Sequence, residues 1–391
     1  MTVKDLYINE KQKPFFSQSQ SYLRKTALSV RVVNNGIILP AASGTTVLWA
    51  IGGVLDEYGE FVDESKNDSL FGGKYPYDKT KVEYIDEEVI FFGPFVKHWG
   101  HFICDQINRL WFIKNNPTKY KIAYCGWNWN FDNGDMEGNF LRLLELLGCK
   151  KDQLINIQQP TKFKKIIIPE RAFVGGQFYS PEFEKTIDII VKNALKKQIS
   201  VPQKIYLSRT KFAKNKERGE EKIEKQFKAN GYTILYPEKM SLDEQIAYFN
   251  KAEKIAMVSG SISHNLMFTQ SSSVEAAIIN KFDLENKYQL VVDDLSKAKI
   301  SYIDCYIKLR EVCFGLGPFL LTPTNHLKQY FQKNGYSFLK SCKLSLYDLI
   351  WYYTTYHKIY SAPINKKYLE EEKKAIEIER QNMKPGNKTT S

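Results

Sequence analysis

The sequence has 391 residues, more than a single hydrophobic core usually supports, and this length predicts two domains. A composition that is 43% hydrophobic and 26% charged excludes a wholly disordered chain. The formal net charge of +12 favours anionic partners, but the lysines are spread along the chain, which argues against the concentrated basic surface of a nucleic-acid-binding protein. A solvated, lysine-rich surface is an alternative explanation of the charge.

The amino-terminal region, residues 1–28, predicts an irregular lead-in without the apolar segment of a signal peptide. No segment approaches the ~20 consecutive apolar residues that cross a bilayer. The 6 cysteines form no C-x-x-C pair and most lie in apolar runs, so we expect buried, reduced thiols. Together these features predict a cytoplasmic protein.

The first half of the chain then alternates between strand and helix patterns. Apolar and β-branched runs predict strands at 28–39, 46–54, 82–92, 121–125, 154–157 and 164–168. Apolar residues at helical spacing predict helices at 101–115, 138–147 and 181–197, the last with Ser180 as its N-cap. The polar stretch 196–202 contains a proline near its end and predicts a domain boundary.

A second alternation follows this boundary. Strands are predicted at 204–207, 232–236, 254–258 and 274–279, with helices at 220–229, 241–250 and 261–269. This order predicts βαβ units and a parallel sheet, which binds ligands at the carboxyl ends of its strands. The chain ends in an aromatic helix at 344–360, a charged helix at 366–381 and a disordered tail.

The first polar cluster lies in and before the predicted helix at 101–115. His101, Asp105 and Asn108 or Arg109 recur at helical spacing and form a polar stripe on an otherwise apolar helix. Such groups either contact each other or face a cleft, where an imidazole or carboxylate can take a proton from a sugar hydroxyl. Alternatively, His101 pairs with Asp105 as a structural contact and His98 caps a loop.

The second polar cluster follows the predicted strand at 204–207. Ser208 and Arg209 stand where a parallel sheet binds ligands, and Lys216 and Arg218 come soon after. An arginine can bind a diphosphate through two hydrogen bonds, and lysines add positive charge. A solvated basic loop is the alternative.

The third polar cluster is a small-residue turn between the predicted strand at 254–258 and the next helix. It contains Ser259, Gly260, Ser261, His264 and Asn265. Small residues let the backbone approach an anion, and a helix N-terminus supplies N–H donors. Glu275, at the start of the next strand, could accept ribose hydroxyls. The alternative for the small-residue turn is an ordinary βα turn, and the alternative for Glu275 is a charged residue at the edge of the sheet.

Sequence motifs of other enzyme classes are missing. The chain has no H-E-x-x-H, G-x-S-x-G or Walker motif, and the acidic runs at 132–135 and 293–294 are interpreted as turns. We therefore expect no metal site. A departing diphosphate would then be stabilised by Arg209, nearby lysines and helix N-termini.

These clusters resemble, in their order along the chain, the motifs of glycosyltransferase family 61. The first motif is matched by His98, Trp99, Gly100, His101 and Phe102, followed by Asp105 and Arg109. The central motifs are matched by residues 206–209, 219–221, 231–232 and 237–246, and the last by residues 259–268. The resemblance covers residues 92–279.

The resemblance implies a GT-B-like α/β fold, in which two Rossmann-like domains face a cleft. The implied organisation is an acceptor-side domain at 1–198, a nucleotide-sugar-binding domain at 199–340, C-terminal helices at 341–383 that pack back on the first domain, and a disordered tail at 384–391. The implied activity is inverting sugar transfer from a nucleoside-diphosphate sugar, with UDP expected as the nucleotide and no metal or other cofactor.

The resemblance also gives roles to the clusters. Asp105 becomes the candidate catalytic base, with His101 beside it. The candidate donor site comprises Ser208, Arg209, Lys216, Arg218, Glu238, Ser259, Gly260, Ser261, His264, Asn265 and Glu275. The candidate acceptor side comprises His98, Asn108 and Arg109. The sequence departs from the family at Ser259, where a histidine is usual, so the donor contacts can differ.

The lack of the membrane anchor found in Golgi members favours a bacterial capsule or lipopolysaccharide enzyme at the cytoplasmic face, acting on an oligosaccharide or lipid-linked glycan. The aromatic helix at 344–360, with Lys366 and Lys367, suits a peripheral membrane contact, and packing against the first domain is the alternative. The alternative function is a non-catalytic protein that binds polyanions, nucleic acid or carbohydrate, which leaves the ordered clusters unexplained.

Overall fold

The computed structural model describes residues 3–17, 21–44, 50–68, 70–127, 134–212, 216–283, 286–340 and 344–382. The predicted tail at 384–391, Cys342, residues 132–133 and part of the predicted strand at 46–54 lie outside the described residues. Two β-sheets flanked by helices confirm the predicted α/β class.

The secondary-structure elements are numbered in chain order. The strands are β1 (Val3–Tyr7), β2 (Val30–Asn34), β3 (Ile37–Ser43), β4 (Ala50–Leu55), β5 (Glu83–Val96), β6 (Lys121–Trp127), β7 (Leu154–Asn156), β8 (Thr161–Pro169), β9 (Phe173–Val174), β10 (Phe178–Tyr179), β11 (Lys204–Leu207), β12 (Glu217–Arg218), β13 (Thr233–Leu235), β14 (Lys254–Val258), β15 (Glu275–Asn280), β16 (Lys299–Asp304) and β17 (Phe319–Leu320). The α-helices are α1 (Lys13–Ser17), α2 (Trp99–His101), α3 (Gly138–Leu147), α4 (Pro181–Ala194), α5 (Glu220–Lys228), α6 (Leu242–Lys251), α7 (Lys287–Leu295), α8 (Asn325–Lys333), α9 (Leu346–Tyr360) and α10 (Pro363–Asn382).

The sheet of the first half is mixed. Its strand order is β4-β3-β8-β5-β6-β7, and β2 also pairs with β8. The strands β5, β6, β7 and β8 are parallel, whereas β2 and β3 run antiparallel to β8. The single strand predicted at 28–39 is divided in two because Asn35 adopts a left-handed conformation (φ 53°), which interrupts the ladder.

The sheet of the second half is parallel throughout, with the order β1-β16-β15-β14-β11-β13. The irregular lead-in predicted for residues 1–28 is therefore wrong at residues 3–7, because β1 pairs in parallel with β16. Asn9 reinforces this edge by donating its backbone N–H to Asp304 Oδ2 at 2.9 Å. The predicted domain boundary at residue 198 would place β1 with the first sheet, whereas β1 belongs to the second sheet.

The C-terminal helices α9 and α10 contact the second half of the chain, not the first domain as predicted. Asp348 of α9 bonds Arg218 at 3.0 Å and Lys222 at 2.8 Å. Tyr360 accepts the backbone N–H of Cys313 and donates to the carbonyl of Gly317. These paired charges and buried hydroxyl bonds fix the helices beside α5.

The two halves share one apolar core below the candidate site. A single cluster of buried side chains contains Phe102 and Leu143 of the first half with Ile246 and Leu266 of the second. At its edge, Arg142 of α3 bonds both carboxylate oxygens of Asp243 of α6, at 2.9 and 3.0 Å. This continuous packing holds the carboxyl ends of the two sheets in a fixed relation.

No helix in the described ranges has the length and apolar content required to cross a membrane. The five described cysteines, Cys104, Cys125, Cys149, Cys305 and Cys313, are free and buried, as the sequence predicted. Burial raises the pKa of Cys125 and Cys305 well above the usual range, so these thiols stay protonated and inert.

Candidate functional site

The segment that follows β5 changes helix type twice. His98 caps the short helix α2, its Nδ1 accepting the backbone N–H of His101 at 3.4 Å, and a π-helical turn at Phe102–Gln106 and a 3-10 helix at Ile107–Ile113 follow. The continuous α-helix predicted at 101–115 is therefore wrong. Every residue of the π-turn is buried, so the segment lacks the exposed polar face that an amphipathic α-helix has. Such π-turns are frequent at functional sites.

The π-turn brings His101 and Asp105 into contact. His101 Nδ1 lies 2.7 Å from Asp105 Oδ2, the contact that the sequence analysis gave as the structural alternative. The imidazole is the more accessible partner, with 27% of its side chain exposed against 7% for Asp105. The carboxylate also lies against Tyr288 of α7, where burial and the adjacent Asp105 raise the pKa of the tyrosine. Asp105 can therefore orient the His101 ring.

His98 lies beside this pair, and Arg209 of the second half is close enough to affect its charge. Its ring centre is 4.6 Å from that of His101. Although solvent reaches the ring, partial desolvation and the nearby charges of His101 and Arg209 lower the pKa of His98 to about 4. His98 is therefore neutral near pH 7 and belongs to an electropositive region.

Arg209 follows β11 at the carboxyl edge of the second sheet, as predicted. Its backbone N–H donates to Glu220 Oε1 at 3.0 Å. Its guanidinium lies so close to Gly260 that a Cβ there would stand 2.8 Å from Nη1. Gly260 also has φ +155°, so glycine alone gives this approach without strain.

A buried ion pair beside Arg209 was not predicted from the sequence. Lys281 Nζ lies 2.8 Å from Glu217 Oε1, and their side chains are 8% and 1% exposed. Burial opposes ionisation of Glu217, but Lys281 and Arg209 outweigh it and lower its pKa to about 2. Lys281 comes directly after β15, so the rule that parallel sheets bind ligands at their carboxyl ends could have identified it.

Lys216 adds a more exposed cation to the same region. Its Nζ donates to the carbonyl of Gly315 at 2.6 Å, and its charge is felt at both His98 and Lys281. We call Arg209, Lys216, Lys281 and Glu217 the cationic cluster. Three cations against one carboxylate leave a positive surplus at the carboxyl edge of the sheet.

The turn after β14 joins the cationic cluster to the first half. Asn265 accepts the indole N–H of Trp99 at 2.7 Å and donates to Gln245 at 2.8 Å. Opposite, a Cβ on Gly100 would stand 2.8 Å from Ser261 Oγ and 3.5 Å from His264 Cδ2. The first and third predicted polar clusters are therefore in direct contact.

Two predicted donor residues are committed to other contacts. Ser208 is fully buried, and its hydroxyl donates to Glu224 Oε2 of α5 at 3.0 Å. Arg218 bonds Asp348 of α9 at 3.0 Å. Arg218 points away from the cationic cluster because neighbouring side chains of β12 lie on opposite sides of the strand, and only Glu217 lies in the cluster. The structure therefore does not bring Ser208 or Arg218 together with the other predicted donor residues through these contacts.

The predicted acceptor residues Asn108 and Arg109 lie behind the site. Asn108 is buried and donates to the carbonyl of Asp105 at 2.7 Å. Arg109 is also buried and donates to the carbonyls of Pro169 and Glu64, and burial lowers its pKa to about 9. Both side chains are buried within the first half and bond its backbone carbonyls.

The two predicted glutamates differ in position. Glu275 begins β15 at the amino edge of the sheet and lies 3.3 Å from Lys254, which begins β14. Its assignment to the donor site is therefore wrong, since the cationic cluster lies at the opposite edge. Glu238 is exposed in the 3-10 turn Pro237–Lys239 after β13, at the carboxyl edge.

A cavity of about 420 Å³ opens in the first half behind the π-turn. Its polar lining includes Arg24, Arg31, Lys66, Asp68, Glu170 and Arg171. Arg171 forms a bidentate pair with Asp68, and the neighbouring Asn67 donates to the Asp105 carbonyl at 2.8 Å. Within the described ranges no group of three or more metal-ligating side chains is found.

Comparison with known protein families identifies this region. Residues 99–275 match the model of the family Glycosyltransferase 61, the family whose motifs the sequence resembles. The match runs from the His101–Asp105 pair through Arg209 and Glu217 of the cationic cluster to the turn at Ser259–Asn265, and it supports a glycosyltransferase. No curated protein matches the chain.

Proposed function

We propose that this glycosyltransferase moves a sugar from a nucleoside diphosphate to a glycan hydroxyl, with inversion at the anomeric carbon. The observation that carries the proposal is the contact between Gly100 and Ser261, which joins an imidazole–carboxylate pair to a cationic cluster. A transferase needs these two features on opposite sides of one anomeric carbon, because a proton leaves on one side and a diphosphate on the other.

The His101–Asp105 pair is proposed as the base. His101 is the member that solvent and an acceptor can reach, and Asp105 stabilises the imidazolium that forms when the hydroxyl proton is taken. The acceptor oxygen then bonds the anomeric carbon as the bond from that carbon to the diphosphate oxygen breaks. Asp105 thus acts with His101 and not as a separate base.

The cationic cluster is proposed to bind the departing diphosphate. Arg209 offers a planar pair of N–H donors, and Lys281 adds an ammonium with three donors. Because Lys281 and Glu217 are buried, their geometry is set before the donor arrives, and preorganised charge lowers the barrier more than mobile charge does. The proposed mechanism requires no metal ion.

The same proposal includes a GT-B arrangement and a UDP-linked donor. It also includes a cytoplasmic site of action and a role in bacterial capsule or lipopolysaccharide synthesis. The parallel sheet of the second half and the contact between Gly100 and Ser261 support this arrangement. The family match favours an enzyme over the non-catalytic alternative.

A peripheral membrane contact through α9 is part of the proposal for a lipid-linked acceptor. Leu346, Tyr347 and Ile350 expose 71%, 78% and 51% of their surface on one face of the helix. An exposed apolar face next to lysines suits the interface of an anionic bilayer. Sedimentation with anionic vesicles tests this contact, and an unbound protein at low salt would exclude it.

The experiment that tests the function is a panel of nucleotides and nucleotide sugars. UDP or another nucleoside diphosphate should raise the melting temperature, because a ligand that binds only the folded state stabilises it. The matching sugar donor should be consumed by the wild type but not by Asp105→Asn, with equal thermal shifts for both proteins. A panel without any shift or turnover would refute the proposed function.

A further inference from the structure

His264 is a buried histidine whose role the proposed mechanism leaves open. It lies in the 3-10 helix Ser263–Phe268, and only 7% of its surface is exposed. Its Nδ1 lies 3.0 Å from Gln289 Oε1 of α7. Burial lowers its pKa to about 4, so the ring is neutral near pH 7 and one of its nitrogens lacks a proton.

The orientation of Gln289 determines which nitrogen this is. Gln289 Nε2 lies 3.2 Å from the carbonyl of Ser263, which can only accept a hydrogen bond. The same nitrogen donates to Asp293 Oδ1 at 2.9 Å, and Asp293 Oδ2 accepts the hydroxyl of Tyr302 at 2.5 Å. The amide nitrogen therefore points to Ser263 and Asp293, and the amide oxygen points to His264.

Since an amide oxygen can only accept, His264 Nδ1 must carry the ring proton. Nε2 is then the acceptor nitrogen of the ring, next to Cδ2, which lies 3.5 Å from the Cβ position of Gly100 in the first half. The side-chain nitrogen of Asn286 approaches Nε2 at 3.4 Å. This distance is longer than a normal hydrogen bond, so a better donor can replace Asn286.

We propose that Gln289 and Asp293 are positioning residues that fix His264 as the Nδ1–H tautomer, so that Nε2 accepts a hydrogen bond from a hydroxyl of the donor sugar. The inference rests on the proposed function for the identity of the ligand. Its chemistry follows from the same turn, where Arg209 and Lys281 beside Gly260 offer only cationic donors. A diphosphate has no hydrogen to give to Nε2, whereas a sugar has hydroxyls.

The neutral Nε2 of His264 would therefore bind the sugar end of the donor and not its diphosphate end. The cationic cluster binds the phosphates, and His264 binds the sugar. A charged His264 would lose its acceptor and would instead add one more cation to the cluster. The buried relay of Tyr302, Asp293 and Gln289 opposes this change because each member already has its partner.

The tautomer can be measured directly without ligand by long-range proton–nitrogen NMR on protein labelled with ¹⁵N-histidine. His264 should show a protonated Nδ1 and an unprotonated Nε2 at pH 7. A protonated Nε2, or a doubly protonated ring, would overturn the proposal. This result does not depend on the proposed function or on any variant's ability to fold.

The effect on the sugar is tested with Gln289→Glu, which places a carboxylate against Nδ1 and favours the charged ring. At pH 7 the KM for the sugar donor should rise about tenfold, the value of one hydrogen bond, while the Kd for UDP changes less than about twofold. Equal losses for UDP and donor would indicate a merely structural role and overturn the inference. A donor that lacks the bonded hydroxyl should bind the wild type more weakly than the full donor does, but should bind Gln289→Glu as well as the full donor does. This pattern would identify the hydroxyl. The same pattern with a deoxy acceptor would overturn the assignment to the donor sugar.

A wild-type protein that has the expected tautomer but binds no nucleotide would refute the proposed function, and with it the assignment of a sugar to Nε2. The same protein with UDP bound but with a protonated Nε2 would refute the relay alone. The two failures are therefore distinguishable.

Discussion

At the residue scale, the cationic cluster depends on a carboxylate as much as on its cations. Glu217 is almost fully buried between Lys281 and Arg209, and without these partners an ionised carboxylate would be costly there. Glu217 in turn keeps the lysine ammonium in a buried position beside Gly260. One buried pair therefore fixes the position of a charge that a mobile surface lysine could not hold.

This arrangement predicts the behaviour of Lys281→Met. Loss of the ammonium should raise the Kd for a nucleoside diphosphate at least about tenfold and destabilise the fold by about 3–5 kcal/mol, because Glu217 loses its closest partner. The matched control is Lys254→Met, at the opposite edge of the same sheet beside Glu275. Isothermal titration should show unchanged nucleotide binding for the control, and equal weakening in both variants would contradict the assignment.

A second residue-scale prediction concerns Glu220, whose buried carboxyl has a pKa raised to about 7 by desolvation. An unfolded glutamate titrates near ~4.3, so the folded protein holds a proton that the unfolded chain releases between these values. The contribution of this proton to the free energy of unfolding is complete below about pH 4, and it is lost as the pH rises through 7.

Glu220→Gln should remove this dependence. Urea unfolding from pH 4 to 8 should show that the wild type loses roughly 3 kcal/mol relative to the variant. Glu221→Gln, at the exposed neighbouring position, should follow the wild type. Parallel curves for the wild type and Glu220→Gln would show that the carboxyl titrates normally.

At the element scale, the sequence predicts best where local signals agree. The strands β11 and β14 and the helix α3 have the predicted bounds, and Ser180 caps α4 as expected. In each of these elements the apolar period is regular and a cap or glycine marks an end. The βα units that carry Arg209 and His264 were therefore predictable.

Other elements depend on contacts that are distant in sequence. The strand β1 is stabilised by β16, almost 300 residues away, and its five residues have no clear period of their own. The π-turn with Asp105 has an apolar period that fits an ordinary helix, and only its buried surroundings select another form. Lys281 and Glu217 were missed for the same reason, since neither belongs to a motif.

The close contact between α2 and the turn after β14 predicts the effect of Gly100→Ala. The added Cβ would stand 2.8 Å from Ser261 Oγ, so the two segments must separate by some tenths of an ångström. Misplacement on this scale should lower kcat/KM about tenfold or more with little loss of melting temperature. Gly315→Ala is the control because nothing lies within 4 Å of its Cβ position. Equal activity of the two variants would show that this contact does not position the reacting groups.

At the scale of the whole molecule, the two sheets are joined twice. A common apolar core lies between them, and β1 returns the beginning of the chain to the second sheet. The helices α9 and α10 extend the second half and leave the first half uncovered at its cavity. The predicted α/β class is confirmed, while the positions of β1, α9 and α10 follow contacts that no local pattern reveals.

The central claim is that both halves act on one donor molecule. The structure of Asp105→Asn with the bound nucleoside diphosphate tests it most directly. We predict that the diphosphate lies within hydrogen-bond distance of Arg209 and Lys281, with its terminal phosphate directed toward His101. A diphosphate bound in the cavity lined by Arg31 and Arg171, or at any site remote from Gly260, would contradict the account.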